Sequence, residues 1–195
     1  SSEADLGPTV MDDLLLFGSA RGEGVGGHRS YPWDDQPYLN LYSALLKGAD
    51  AAEPMVMRKE VNSRYHDGTA SYDSLAHRLY FTRNNYLNGK LQKADDGELN
   101  LGIYYSDIVQ GEYNQKEWGG LTPFEHNDPA FNTGHPCVSH DGRRLFFASD
   151  RPGGQGGTDI WYCDNLGNAW GVPQNMGPKV NTTGNEMFPF LSRDS

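Results

Sequence analysis

One pattern recurs in order along this chain and restricts it to repeat architectures. The segments LLLFGSAR (Leu14–Arg21), RLYFTRNN (Arg78–Asn85) and RLFFASDR (Arg144–Arg151) align on Phe17, Phe81 and Phe147, 64 and 66 residues apart. Each is followed by a second shared pattern: LNLYSA from Leu39, LGIYYSD from Leu101 and TDIWYCD from Thr158. Each is preceded by a third: GPTV from Gly7, GTASYD from Gly68 and HPCVSHDG from His135. The leading pattern returns a fourth time in the last ten residues, where PFLSRD from Pro189 lies over PCVSHD from Pro136.

Every unit reads as strand a, a tight turn, strand b, a loop, strand c, a turn and a short strand d. The third unit's strand b, LFFASD, is rich in aromatics and bounded by Asp141-Gly142 and Arg-Pro-Gly-Gly, both turn signals. Strand d is expected at Trp170-Gly171-Val172 in the third unit and around Trp118 in the second. No segment shows a helical period. A four-stranded antiparallel sheet of this size is marginal alone and must bury its faces against neighbours, which radial repetition achieves. The expected fold is all-β: a β-propeller of four-stranded antiparallel blades, with units at about 5–67, 68–134, 135–185 and 186–195. Phe17, Phe81 and Phe147, with Tyr42, Tyr104 and Trp161, are the expected packing between blades. A propeller needs at least four blades, so three units and the first strand of a fourth are expected to belong to a larger propeller.

Strands alternate direction, so the b–c loops and the d-to-a connections emerge on one face. The b–c loops span Gly22–Tyr38, Asn84–Asn100 and the much shorter Pro152–Gly157. Loops beyond hairpin length are where function concentrates. The candidate binding residues there are Tyr31, Trp33, Asp34, Asp35 and Tyr38 in the first loop and Tyr86, Lys93, Asp95 and Asp96 in the second. Aromatics interleaved with charges suit a protein–protein contact, in which Tyr and Trp anchors dominate the energy; Tyr31 and Trp33 could equally cover their own loop.

Catalytic and metal signatures are weak by comparison. No His pair has the i, i+4 spacing of H-E-x-x-H. His66 and His135 both precede strand a and could converge near a propeller axis, but the first and fourth units offer Leu6 and Phe188 nearby. Asp95-Asp96-Gly97-Glu98 groups hard oxygen donors without the order of a calcium loop. The glycine runs Gly22–Gly27 and Gly153–Gly157 lack the Lys and helix of a phosphate loop. Asp150 and Asp159 read as caps of turn amides. There is no G-x-S-x-G elbow, and Ser139-His140-Asp141 is adjacent in sequence where a triad converges in space. The reading is a non-enzyme with no cofactor and no metal. A net charge of −10 argues against nucleic acid as a partner. Cys137 and Cys163 fall on strands a and c of one blade, about 9–10 Å apart across strand b, so two free thiols are expected.

The third unit, from His135 to Ser192, resembles the WD-repeat-like propeller repeat of TolB-like proteins, most closely the version in OmpA-family envelope proteins of Bacteroidetes. The resemblance rests on Ser139–Gly142 (S-x-D-G), Phe147–Gly157 (F-x-S-D-R-x-G-G-x-G-G), Asp159–Trp161 (D-I-W) and Trp170–Thr182 (W-x-x-P-x-N-x-G before V-N-T). YPWDDQPYLNLY from Tyr31 is a further token. The first two units lack the D-R-x-G-G loop. The resemblance implies a periplasmic protein associated with the outer membrane, similar to the PorE-like component of the type IX secretion system. It implies protein partners in the envelope or secretion machinery, and peptidoglycan contact only through a separate domain. Two alternatives stay open: a regulatory propeller of a peptidase, and a carbohydrate-binding or carbohydrate-active propeller.

Overall fold

Three antiparallel sheets follow one another along the chain in the computed structural model, which describes residues 4–22, 37–110 and 116–192. The first contains β1 (Asp5–Met11), β2 (Leu14–Ser19), β3 (Asn40–Lys47), β4 (Asp50–Ala51) and β5 (Met55–Val56). The second contains β6 (Asp67–Asp73), β7 (Arg78–Asn84), β10 (Leu101–Gln110), β11 (Lys116–Trp118) and β12 (Thr122–Pro123). The third contains β13 (Thr133–Val138), β14 (Arg144–Ser149), β15 (Asp159–Asp164) and β16 (Gln174–Asn175). A separate hairpin, β8 (Tyr86–Leu87) with β9 (Lys90–Leu91), lies inside the second b–c loop. None of the sheets closes on itself, and the described residues contain no helix.

The repeat seen in the sequence is a repeat of register. Phe17 pairs with Tyr42, Phe81 with Tyr104 and Phe147 with Trp161, each across strands b and c. Strand a shifts register at one place in every sheet, between Leu6 and Thr9, Gly68 and Ala70, and Gly134 and Cys137. The shift comes from a left-handed residue: φ is +56° at Gly7, +29° at Thr69 and +53° at His135. Only glycine adopts that region freely, so Thr69 and His135 hold it against a local cost. Phe188, the matching residue of the fourth unit, has φ +57°. The repeat therefore extends into residues 186–192 in backbone conformation as well as in letters.

Strand d corrects the sequence expectation. In the third sheet the outer strand is Gln174–Asn175, facing Trp161 and Tyr162, whereas Trp170 makes only an isolated bridge to Asn165. Met55–Val56 and Thr122–Pro123 hold the same register against Tyr42–Ser43 and Tyr104–Tyr105. Trp118 pairs with Ile108, on a hairpin extension beyond the strand that pairs with the core of β10. The tryptophan at the end of the third c–d hairpin is spent on packing: Trp170 is buried beside Tyr80 of the second sheet, rings 6.1 Å apart.

Just past the two-residue strand d, one carbonyl of strand c still accepts a backbone N–H: Leu41 O from Met57 N (2.9 Å), Ile103 O from Phe124 N (2.9 Å) and Ile160 O from Met176 N (3.1 Å). The N–H of that same residue has no backbone acceptor, and burying such a group unpaired costs about 1–3 kcal/mol. One asparagine per unit closes this gap. Asn62 accepts from Leu41 N at 2.7 Å and donates to Leu41 O at 3.0 Å. Asn127 does the same for Ile103 at 2.9 and 2.6 Å, and Asn181 for Ile160 at 2.8 and 3.0 Å. The side-chain amide stands in for a missing strand residue.

The core lies between successive sheets. Leu16, Leu41, Met57 and Val61 of the first pack with Ala70, Leu79, Phe81 and Tyr104 of the second. Tyr80, Ile103 and Phe124 of the second pack with Val138, Leu145, Phe147, Trp161, Cys163 and Trp170 of the third. Phe17 and Tyr42 form their own cluster with Ala44 on the other face of the first sheet. The strands a lie side by side, β1 on β6 and β6 on β13. Polar contacts join the second sheet to β13, where His135 N donates to Thr82 Oγ1 (2.8 Å) and Val138 N to Ser71 Oγ (2.9 Å).

Each aromatic pair carries an arginine. Arg21 lies 5.1 Å from the Phe17 ring centre, Arg83 5.3 Å from Phe81 and Arg151 4.9 Å from Phe147. Arg21 and Arg151 occupy one place in the repeat; Asn85 takes that place in the second unit, and its arginine comes from two residues earlier. Arg83 there pairs with Asp67, and both side chains are buried. Cys137 and Cys163 are free, on β13 and β15 with β14 between them. Burial pushes the Cys163 thiol up to about 12, which leaves it almost without thiolate at neutral pH and chemically inert.

Candidate binding face

The b–c loops and d-to-a connections leave the same ends of the sheets, as the alternating strand directions require. Of the nine sequence-selected residues, Tyr31, Trp33, Asp34 and Asp35 lie outside the described residues. Tyr38, Tyr86, Lys93, Asp95 and Asp96 are described, and the structure brings two of them together through a residue the sequence did not single out. Tyr65, in the connection between the first and second units, makes edge contacts with both Tyr38 (5.9 Å) and Tyr86 (5.1 Å). His66 packs against Tyr38 at 4.8 Å, and Arg64 lies 5.7 Å from the Tyr86 ring.

Each ring is held by local chemistry. Asp67 accepts from Ser63 N at 2.5 Å, and Tyr65 N donates to Ser63 Oγ at 3.1 Å, which tightens the connection and presents Tyr65. His66 Nδ1 accepts from Leu39 N and His66 N donates to Asn84 Oδ1, both at 3.1 Å, tying the connection to both neighbouring sheets. Tyr86 opens the β8–β9 hairpin, whose Asn88-Gly89 turn has φ of +51° and +81°. Positive φ at both central residues is the turn geometry that matches strand twist. The result is a half-buried strip, Tyr38–Tyr65–Tyr86, drawn from three segments, with exposed Arg64 beside it; Lys90 on the same hairpin and Lys93 just after it are also exposed.

Asp95 and Asp96 do not join that strip. They sit in an exposed turn closed by Gly97 N to Ala94 O (2.9 Å) and Glu98 N to Asp96 Oδ1 (3.0 Å). Asp159 caps its loop as expected, accepting from Gln155 N (2.5 Å) and Gly156 N (3.2 Å). Asp150 binds across the connection instead, accepting from Asn132 N at 2.6 Å and Asn132 Nδ2 at 2.8 Å.

The two histidines considered for a shared axial site occupy different places in the repeat. His135 aligns with Thr69 and stacks on Phe188 at 4.0 Å, whereas His66 aligns with Asn132 and faces Tyr38. Among the described residues no group of three or more His, Cys, Asp or Glu is placed to hold a metal ion.

Burial holds the His135 imidazole down at about 4 against an ordinary 6.5, so it is neutral in the fold. The unfolded chain gains this proton below pH 6.5 and the fold does not, so stability falls with acid between about 6.5 and 4. The difference is worth about 3 kcal/mol. Denaturant titrations across that window should show the loss in the wild type. His135→Asn, which tolerates the left-handed backbone, should lack this component. A wild-type stability that stays flat from pH 7 to 4 would contradict the buried neutral imidazole.

Comparison with known protein families and with curated proteins gave no match to either.

Proposed function

We propose that the three sheets are blades of a β-propeller and that the chain is a non-catalytic platform for a protein partner, docked on the loop face. The observation that carries this reading is the Tyr38–Tyr65–Tyr86 strip, assembled from two b–c loops and one connection. Tyrosine offers large amphipathic contact area at little side-chain entropy cost, which is why it anchors interfaces. The shared register, the repeated left-handed residue of strand a and the side-by-side strands a support the blade reading. The likeness of the third unit to TolB-like and OmpA-family repeats supports a periplasmic setting at the outer membrane, with partners in the envelope or secretion machinery.

The test is retention of envelope proteins on immobilised wild type and on the Tyr65→Ala/Tyr86→Ala double variant. Truncating two central anchors should weaken a retained partner at least about tenfold, with the thermal midpoint little changed because both rings are only half-buried. Equal retention by both proteins would sink the reading.

A further inference from the structure

The third sheet leaves partly uncovered, at Phe146, a face that the first two sheets keep covered. Leu16 of β2 and Leu41 of β3 lie under Phe81 and Tyr104 of the second sheet. Tyr80 and Ile103 lie under Phe147, Trp161 and Trp170 of the third. The matching side chains of the third sheet are Phe146, paired with Tyr162 as Tyr80 is with Tyr105, and Ile160. Ile160 is buried as Ile103 is, and Tyr162 is half-buried as Tyr105 is, so the difference lies at Phe146: Tyr80 is 1% exposed beneath its neighbour, whereas Phe146 stays half-buried.

The start of a cover is already in place. Residues 186–192 carry the strand a pattern and its left-handed residue, Phe188. Phe188 stacks on His135 (4.0 Å), and Leu191 N–H meets the Cys137 sulfur. By register Cys137 matches Ser71 and Leu191 matches Val138, so this is the Ser71–Val138 contact moved one unit along. The segment nevertheless pairs with no strand among the described residues, and Phe190 is 85% exposed.

We infer that the Phe146–Tyr162 face is a docking face for a further sheet of this same repeat, with residues 186–192 as its strand a. Its strands b and c present an aromatic pair with an arginine over it, like Phe81–Tyr104 with Arg83 or Phe147–Trp161 with Arg151. A second copy of the chain is the weaker occupant, because its β1 would need the place that residues 186–192 hold. The inference rests on the blade reading and is independent of whether the loop face binds a partner.

The test extends the full chain after Leu191 with a second copy of residues 139–192. The donor strands then follow a strand a whose letters already match their own. Amide exchange at 187–192 should slow by about a hundredfold or more as the segment gains a strand partner. Phe146→Asp in the first copy of the extended chain should restore the fast exchange. Unchanged exchange in the extension would overturn the inference. So would sedimentation of the unextended chain as a dimer that Phe146→Asp dissociates, which would assign the face to a second copy.

Discussion

Arg83→Met is expected to cost about 3–5 kcal/mol, because it strands a buried carboxylate. Arg83 and Asp67 form the most buried ion pair described, with side chains 4% and 0% exposed. Without the guanidinium, Asp67 keeps the Ser63 N–H as its named donor. Burial already pushes the Asp67 carboxyl above its usual range, and Arg83 is the main influence opposing that shift. A carboxyl raised in the fold costs stability once the pH passes its unfolded value, since ionisation is then easier in the open chain. The Met variant raises it further, so its deficit should be larger at pH 8 than at pH 5, where Asp67 is nearer to protonation. The thermal midpoint should drop by roughly 10 °C near neutral pH. A pH-independent deficit below about 1 kcal/mol would show that the carboxylate finds water or another donor.

Asn62→Ala is the second large effect. The variant removes the acceptor for Leu41 N and the donor shared by Leu41 O and Met57 O, in a site 2% exposed. Leu41 O keeps the Met57 N–H (2.9 Å), so the groups that lose their partner are Leu41 N–H and Met57 O; at about 1–3 kcal/mol each they put the loss near 3 kcal/mol. Asn62→Asp should lose most of this as well, because a carboxylate accepts from Leu41 N but offers no N–H to the carbonyls. Equilibrium unfolding of the two variants tests this. An Asp variant as stable as the wild type would refute the substitute-strand role. The same changes at Asn127 and Asn181 should behave alike, since all three bracket one residue of strand c.

The strands a, b and c were legible because their letters recur in register: Phe17, Phe81 and Phe147 repeat the same cross-strand pair. Strand d of the third unit is only Gln174–Asn175, too short and too polar to show a strand pattern, whereas Trp170, where the sequence places that strand, serves the contact with the second sheet. The asparagine brackets left a trace in the sequence, one Asn shortly after each strand d, but the donor and acceptor they satisfy are visible only with strand c in place. The β8–β9 hairpin had a plain signal in Asn88-Gly89 that a search for long loops passes over. Tyr65 was missed for a similar reason: it sits in a connection, and only the packing of two units brings it between Tyr38 and Tyr86. His66 and His135 look equivalent in the sequence, and the register of strand a separates them.

The loop-face reading is tested most directly by mapping chemical cross-links from the protein in its native cells. Lys90 and Lys93 stand on the loop end of the second sheet, while Lys47 stands on the c–d hairpin at the opposite end of the first; all three are exposed. Cross-links to one recurring partner that gather at Lys90 and Lys93, and that decline in the Tyr65→Ala/Tyr86→Ala variant, are the expected result. Links to that partner through Lys47, unaffected by loss of the tyrosines, would contradict the account and move the binding surface to the other end of the sheets.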